Sequence, residues 1–199
     1  MYEQFIIVIS REFGSGGHEI ASALAKKFGL PFYDKNILEQ ITQGSTLSLE
    51  ELKHYDESPR NMFMSRSVRG FDNAPQTHVA KMQFSYLREK AAQGESFVLL
   101  GRCGEEVLKD ISNLISVFVL ADTEFKKTRI MARGDTDEDT ALELMARNDR
   151  RRKYYHNQYC RGKWGDSRNY DLCINSARLG IEGTVEYLGR YICARIDQK

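Results

Sequence analysis

Phe5-Ile-Ile-Val-Ile-Ser-Arg-Glu-Phe-Gly-Ser-Gly-Gly-His18 is an apolar run that stops abruptly at a glycine-rich turn. A helical pattern follows at once, with Ile20, Ala21, Leu24, Ala25 and Phe28 on one face and Gly29 as its stop. A strand, a loop without side-chain bulk and a helix N-terminus together aim several backbone N–H groups at one point, which suits a phosphate. Gly14, Gly16 and Gly17 permit the close backbone approach that a Cβ would obstruct.

Outward from this loop the chain alternates. Short apolar runs at Phe5–Ser10, Pro31–Asp34, Phe97–Leu100, Ile115–Leu120 and Tyr170–Ile174 read as strands. Helical patterns lie between and after them, at Gly17–Phe28, Glu105–Lys109, Thr123–Arg133, Asp137–Tyr159 and Ile181–Ile196, with a long polar and apolar region from Asn36 to about Gln93. Continuous apolar strands alternating with helices predict a parallel sheet covered on both faces. Ligands of such sheets bind at the carboxyl ends of the strands, so the residues to watch are Arg11 to Gly17, Asp34 with Lys35, Gly101 with Arg102, and Asp122.

Two segments break the rhythm. Residues 44–78 are polar, carry Pro59 and Pro75, and precede an amphipathic helix at Val79–Gln93 that contains Arg88; they read as a mobile cover over a substrate. The run Asn148-Asp-Arg-Arg-Arg-Lys-Tyr-Tyr-His156, with Arg161, Lys163 and Arg168 around the single tryptophan Trp164, concentrates guanidinium groups suited to a polyphosphate. A solvated basic helix face and an RNA-binding patch are its rival readings.

The chain has 199 residues, enough for one domain with a substantial core, and a net charge of +1, which makes no global case for a nucleic-acid or membrane partner. The first apolar run is short and lacks a basic leader, so a soluble cytoplasmic protein is expected. Cys103, Cys160, Cys173 and Cys193 form no C-x-x-C pair, and His54, His78 and His156 have no partner at metal-ligand spacing; neither a metal site nor a disulfide framework is expected.

Ile9-Ser-Arg-Glu-Phe-Gly-Ser-Gly-Gly17, then Ala-Leu-Ala-Lys-Lys-Phe-Gly-Leu-Pro-Phe-Tyr-Asp34, Gly101-Arg102, Asp149-x-x-Arg152-x-Tyr-Tyr and Tyr170-Asp-Leu-Cys-Ile-Asn-Ser appear in an order that resembles the cytidylate kinase-like family of P-loop proteins. The resemblance spans nearly the whole chain. It implies a three-layer α/β/α P-loop fold of the nucleoside monophosphate kinase type, with a five-stranded parallel sheet. One domain is implied, with a core at 1–34, 96–133 and 169–199, a helical substrate-binding region at 35–95 and a lid at 134–168.

By the same resemblance, the donor ATP, with Mg2+, is held by Phe13, Gly14, Ser15, Gly16, Gly17, His18 and Glu19. Arg129 and its neighbour Arg133 either flank the adenine or form surface ion pairs. Asp34, Arg88, Gly101 and Arg102 are placed at the acceptor, a CMP-type nucleoside monophosphate; the rival for Asp34 is a helix N-cap. Arg11, Arg102, Asp149, Arg150 and Arg152 are placed at the transferring group.

The sequence also departs from the pattern. Gly17 stands where a P-loop carries lysine, Cys103 where the acid of Gly-Arg-Asp stands, and Met145 where the lid has its first arginine. Arg11 is the nearest substitute for the lysine, with His18 second, and Glu12 or Glu19 replaces the lost hydroxyl ligand of Mg2+. A nucleotide-binding regulatory protein and a kinase of a non-nucleotide small molecule are the competing readings.

Overall fold

The computed structural model describes residues 3–42, 49–56, 67–68, 71–72 and 75–197. In chain order the elements are β1 (Ile6–Arg11), α1 (Gly17–Phe28), β2 (Phe32–Tyr33), α2 (Ile37–Thr42), α3 (Leu49–Tyr55), β3 (Ser67–Val68), β4 (Phe71–Asp72), α4 (Pro75–Ala92), β5 (Phe97–Leu100), α5 (Gly104–Val107), β6 (Leu114–Leu120), α6 (Thr123–Gly134), α7 (Glu138–Tyr159), a 3-10 turn (Ser167–Asn169), β7 (Leu172–Asn175) and α8 (Ser176–Ile196). Five strands form one parallel sheet in the order β2-β5-β1-β6-β7.

The alternation of β1 builds the three layers, because successive side chains of a strand point to opposite faces. Ile7 and Ile9 pack with Ile20 and Leu24 of α1 and Leu188 and Ile192 of α8. Ile6 and Val8 face the other way, onto Phe84 and Leu87 of α4, Val107 of α5 and Tyr155 of α7. All four β1 residues are fully buried, as a continuous apolar run in the centre of a parallel sheet requires. No helix among the described residues is long and apolar enough to cross a membrane.

The structure moves several boundaries. Helix α4 starts at Pro75, not Val79, since proline is well tolerated in the first helical turn. Helix α8 starts at Ser176 and kinks at Gly180, whose φ of 66° and ψ of 178° leave the helical region; the pattern from Ile181 marked only the part beyond the kink. The antiparallel pair β3–β4 falls in the region read as a polar cover, and most of 44–78 lies outside the described residues.

Asn175 joins β7 to α8, its side-chain oxygen accepting from Ala177 N at 3.0 Å. Loss of such an N-cap costs about 1 kcal/mol. Asn175→Ala is therefore expected to lower the unfolding free energy by that amount, seen as a lower urea midpoint with an unchanged m-value; an unaltered midpoint would show that the cap contributes nothing.

Candidate functional site

At the carboxyl end of β1 the chain turns through residues 12–16 into α1. The loop is pinned from several sides: Glu12 N donates to Val119 O at 3.0 Å, Ser15 Oγ to Glu12 O at 2.9 Å, and Ser176 Oγ, from the start of α8, to Ser15 O at 2.6 Å. The backbone is thereby fixed before any anion arrives, the condition for preorganised N–H donors.

Arg11 explains why position 17 is glycine. A Cβ there would lie 2.5 Å from Arg11 Cβ and 2.8 Å from its Cγ, and a Cβ on Gly101 would collide with the Arg11 guanidinium. The Arg11 side chain thus runs from the phosphate loop across to the end of β5, through the space a side chain at 17 would need. A cleft of about 930 Å³ opens here, lined by the loop and by Arg11, Asp34, Lys35, Asp56, Arg102, Arg133, Arg151 and Arg152.

Arg102 follows Gly101 in a run of three left-handed residues, with φ of 75°, 58° and 53° at Gly101, Arg102 and Cys103. For residues with side chains such backbone is costly and marks a site held in place by its surroundings. Arg102 is 5% exposed. Its Nη2 donates to Asp56 Oδ2 at 2.8 Å and its Nη1 to Gln83 Oε1 at 3.1 Å and to Asp56 Oδ1, while Gln83 Nε2 donates to Asp56 Oδ1 at 3.0 Å. An acid thus stands against Arg102 from elsewhere in the chain, at the end of α3.

Helix α7 reaches the loop directly. Asp149 Oδ1 accepts from Phe13 N at 2.7 Å, Arg152 Nη1 donates to Arg11 O at 3.2 Å, and the Arg152 guanidinium stands 5.7 Å from the Phe13 ring centre. Burial raises the Asp149 carboxyl above its ordinary value, against the opposing pull of the Phe13 N–H and the Arg152 charge. Asp34 stands in the turn leading to α2, where its Oδ1 accepts from Asn36 N at 2.9 Å, and its Oδ2 faces His18 Nε2 at 3.3 Å across the cleft wall.

Arg11, residues 13–14 and 16–19, Asp34, Arg102 and Arg152 line the cleft together, while Ser15 is buried beneath it and Asp149 holds the loop from α7. Arg129 touches the loop through Nε to Gly14 O at 3.2 Å and pairs with Glu19 at 2.7 Å; Arg133 pairs with the same carboxylate. Arg88 is not brought to the others: its Nε faces Val107 O at 3.4 Å. Arg150 lines a separate surface hollow with Thr140, Leu144 and Tyr154, whereas Arg151 borders both that hollow and the cleft. Glu12 is 2.7 Å from Lys126, a lysine only 8% exposed. Both carboxylates suggested for Mg2+, Glu12 and Glu19, are therefore already paired with cations. Asp56, Gln83, Lys126 and Arg151 escaped the sequence reading; only Arg151, inside the basic run, left a signal there.

The sequence model of the cytidylate kinase-like family matches residues 6–178. A cytidylate kinase from Methanococcus vannielii is 25% identical over 190 residues, covering 94% of this chain and 99% of that protein. Among solved structures, an uncharacterized protein from Eubacterium ventriosum is 38% identical, with a TM-score of 0.77 over 96% of this chain and 99% of that one. A shikimate kinase from Bacteroides thetaiotaomicron shares the fold at 15% identity, with a TM-score of 0.54 over 94% of this chain and 98% of the other.

Proposed function

The chain belongs to the cytidylate kinase-like family, and from that premise we propose that it transfers the γ-phosphoryl group of ATP to a nucleoside monophosphate, CMP being the favoured acceptor. The observation that carries this reading is the course of Arg11 over Gly17 to Gly101, which sets a permanent cation between the phosphate loop and Arg102. Phosphoryl transfer needs little covalent chemistry from a protein; aligned groups and charge placed where it develops supply most of the rate.

On this reading the loop at 13–19 cradles the donor phosphates with backbone N–H groups, and Arg11 takes the part of the absent lysine. Arg102 receives the acceptor phosphate once that phosphate displaces Asp56, and Asp34 orients the acceptor. Arg151 and Arg152 close over the transferring oxygens, with Asp149 fixing the lid on Phe13. Arg88 and Arg150 have no part in it. Region 35–95 covers the acceptor and 134–168 forms the lid, excluding water from the transfer.

Mg2+ supplies charge neutralisation and alignment when bound. Since Glu12 and Glu19 are occupied by cations, the residues present fit a metal that enters on the donor, held by phosphate oxygens and water, as Mg2+ commonly is.

One observation favours a second reading. Arg102 is already neutralised by Asp56, which suits an acceptor that carries a hydroxyl and no phosphate. Measuring ADP formed from MgATP against a panel of nucleoside monophosphates, sugars and hydroxy acids separates the two. Turnover with CMP and a KM for it raised at least about tenfold in Arg102→Lys, where the bidentate fork is lost, is the expected result. Turnover confined to unphosphorylated acceptors would replace the first reading with the second, and nucleotide binding without turnover on any acceptor would overturn both.

A further inference from the structure

Behind the cleft, where the lid helix ends, three side chains of metal-ligand type converge, with Cys103 beside them. One ligand atom each from Glu105, His156 and Cys160 lie within 4.8 Å of one another. His156 Nε2 is 2.6 Å from Glu105 Oε1, and the Cys103 thiol hydrogen-bonds Cys160. Cys103 and Glu105 flank the start of α5 on the core, while His156 and Cys160 sit at the last turn and C-cap of α7 on the lid.

The cluster is dry, and its polar capacity is not filled from within. The Glu105 and His156 side chains are 7% and 5% exposed, yet Glu105 Oε2 and His156 Nδ1 have no hydrogen-bond partner among the described residues. A buried polar atom left unpaired costs about 1–3 kcal/mol, so the cluster is held at a cost that its internal hydrogen bonds do not cancel. Two thiols, an imidazole and a carboxylate exclude Mg2+ and Ca2+, which take oxygen ligands, and suit a borderline-soft divalent ion in tetrahedral coordination.

We propose that Glu105, His156 and Cys160 bind a structural Zn2+ ion that fastens the end of the lid helix to the core, with Cys103, which lies against Cys160, turning in as the fourth ligand. Zinc between Nε2 and Oε1 needs these atoms roughly 3.3 Å apart, so the observed pair opens by less than about 1 Å, within the reach of side-chain rotation. With four protein ligands no coordination position is left for water or substrate; the ion is architectural and stands apart from the phosphate chemistry. Sequence spacing hid the site because its ligands arrive as two close pairs, 103 with 105 and 156 with 160, joined only by the fold.

The test is a titration of the reduced, intact protein with Co2+ and then Zn2+. The expected result is one Co2+ per chain, with thiolate-to-cobalt absorption and tetrahedral visible bands, displaced by one equivalent of Zn2+. Cys160→Ser and His156→Ala should each weaken binding at least about 100-fold, beyond the loss seen when only an outer partner of a ligand is removed. Cys173→Ser and Cys193→Ser should leave it unchanged. Failure of the unmodified protein to bind stoichiometric metal overturns the proposal without recourse to any variant. So does a Co2+ affinity left unchanged by Cys160→Ser, or a spectrum of octahedral type.

Discussion

Arg11→Met is expected to lower acceptor-dependent ADP formation by about 10²–10³-fold, the loss that follows removal of one preorganised donor from developing charge. Methionine keeps much of the stem that packs over Gly17 and removes only the guanidinium, so the far-UV circular dichroism should be retained. Arg11→Lys should recover part of the rate, because an ammonium on a similar stem reaches the same space without the fork. Gly17→Lys in the otherwise unaltered chain should not raise activity: its Cβ would fall 2.5 Å from that of Arg11. Rates of the Arg11→Met protein within about threefold of the parent would exclude Arg11 as the substitute for the lysine and remove the main support for the kinase mechanism given above.

Asp149 carries the second large effect. Its carboxylate accepts the Phe13 N–H at 2.7 Å, a charge-assisted bond between lid and phosphate loop whose loss costs about 1.5–3 kcal/mol. Asp149→Ala is thus expected to reduce kcat by roughly 10–150-fold and to speed proteolytic cleavage within α7. Asp149→Asn separates charge from geometry, since its amide oxygen still accepts from Phe13.

The sign of the charge term follows from burial. The Asp149 carboxyl titrates above its ordinary value in the folded protein, so above the unfolded pKa its ionisation opposes the docked state. That penalty is full above the folded pKa and fades as pH falls through it. Asp149→Asn should therefore be no less stable than the parent at neutral pH, by urea denaturation, whereas Asp149→Ala should be less stable. Equal losses in both variants would mean that the charge, and not the acceptor geometry, holds the lid.

The elements nearest the phosphate loop were legible because local rules decide them. Buried alternation in β1 and the face of Ile20, Ala21, Leu24 and Ala25 leave no competing period, and the predicted α1 and β5 coincide with the observed elements. The start of α8 was not legible: Gly180 interrupts the helical period, so Ser176, whose hydroxyl holds the phosphate loop, fell between the strand read to Ile174 and the helix read from Ile181. Arg150 and Arg151 could not be told apart on a helical wheel, where each stands about 130° to one side of the face shared by Asp149 and Arg152. Only the position of the cleft decides between them. Asp56 was invisible for a different reason: its pairing with Arg102 spans 46 residues, and nothing local records such a contact.

The place of β1 in the sheet has a consequence for biosynthesis. It is the first strand to be made, yet it lies at the centre, between β5 and β6, whose pairing residues begin at Phe97 and Leu114. At a translation rate of roughly 5–20 residues per second, some 90 residues take about 5–18 seconds, during which Ile6, Ile7, Val8 and Ile9 have neither neighbour. An apolar strand with both edges open is a template for pairing with other chains. The segment that later forms the central strand of the sheet is therefore, on the ribosome, the one most in need of a chaperone.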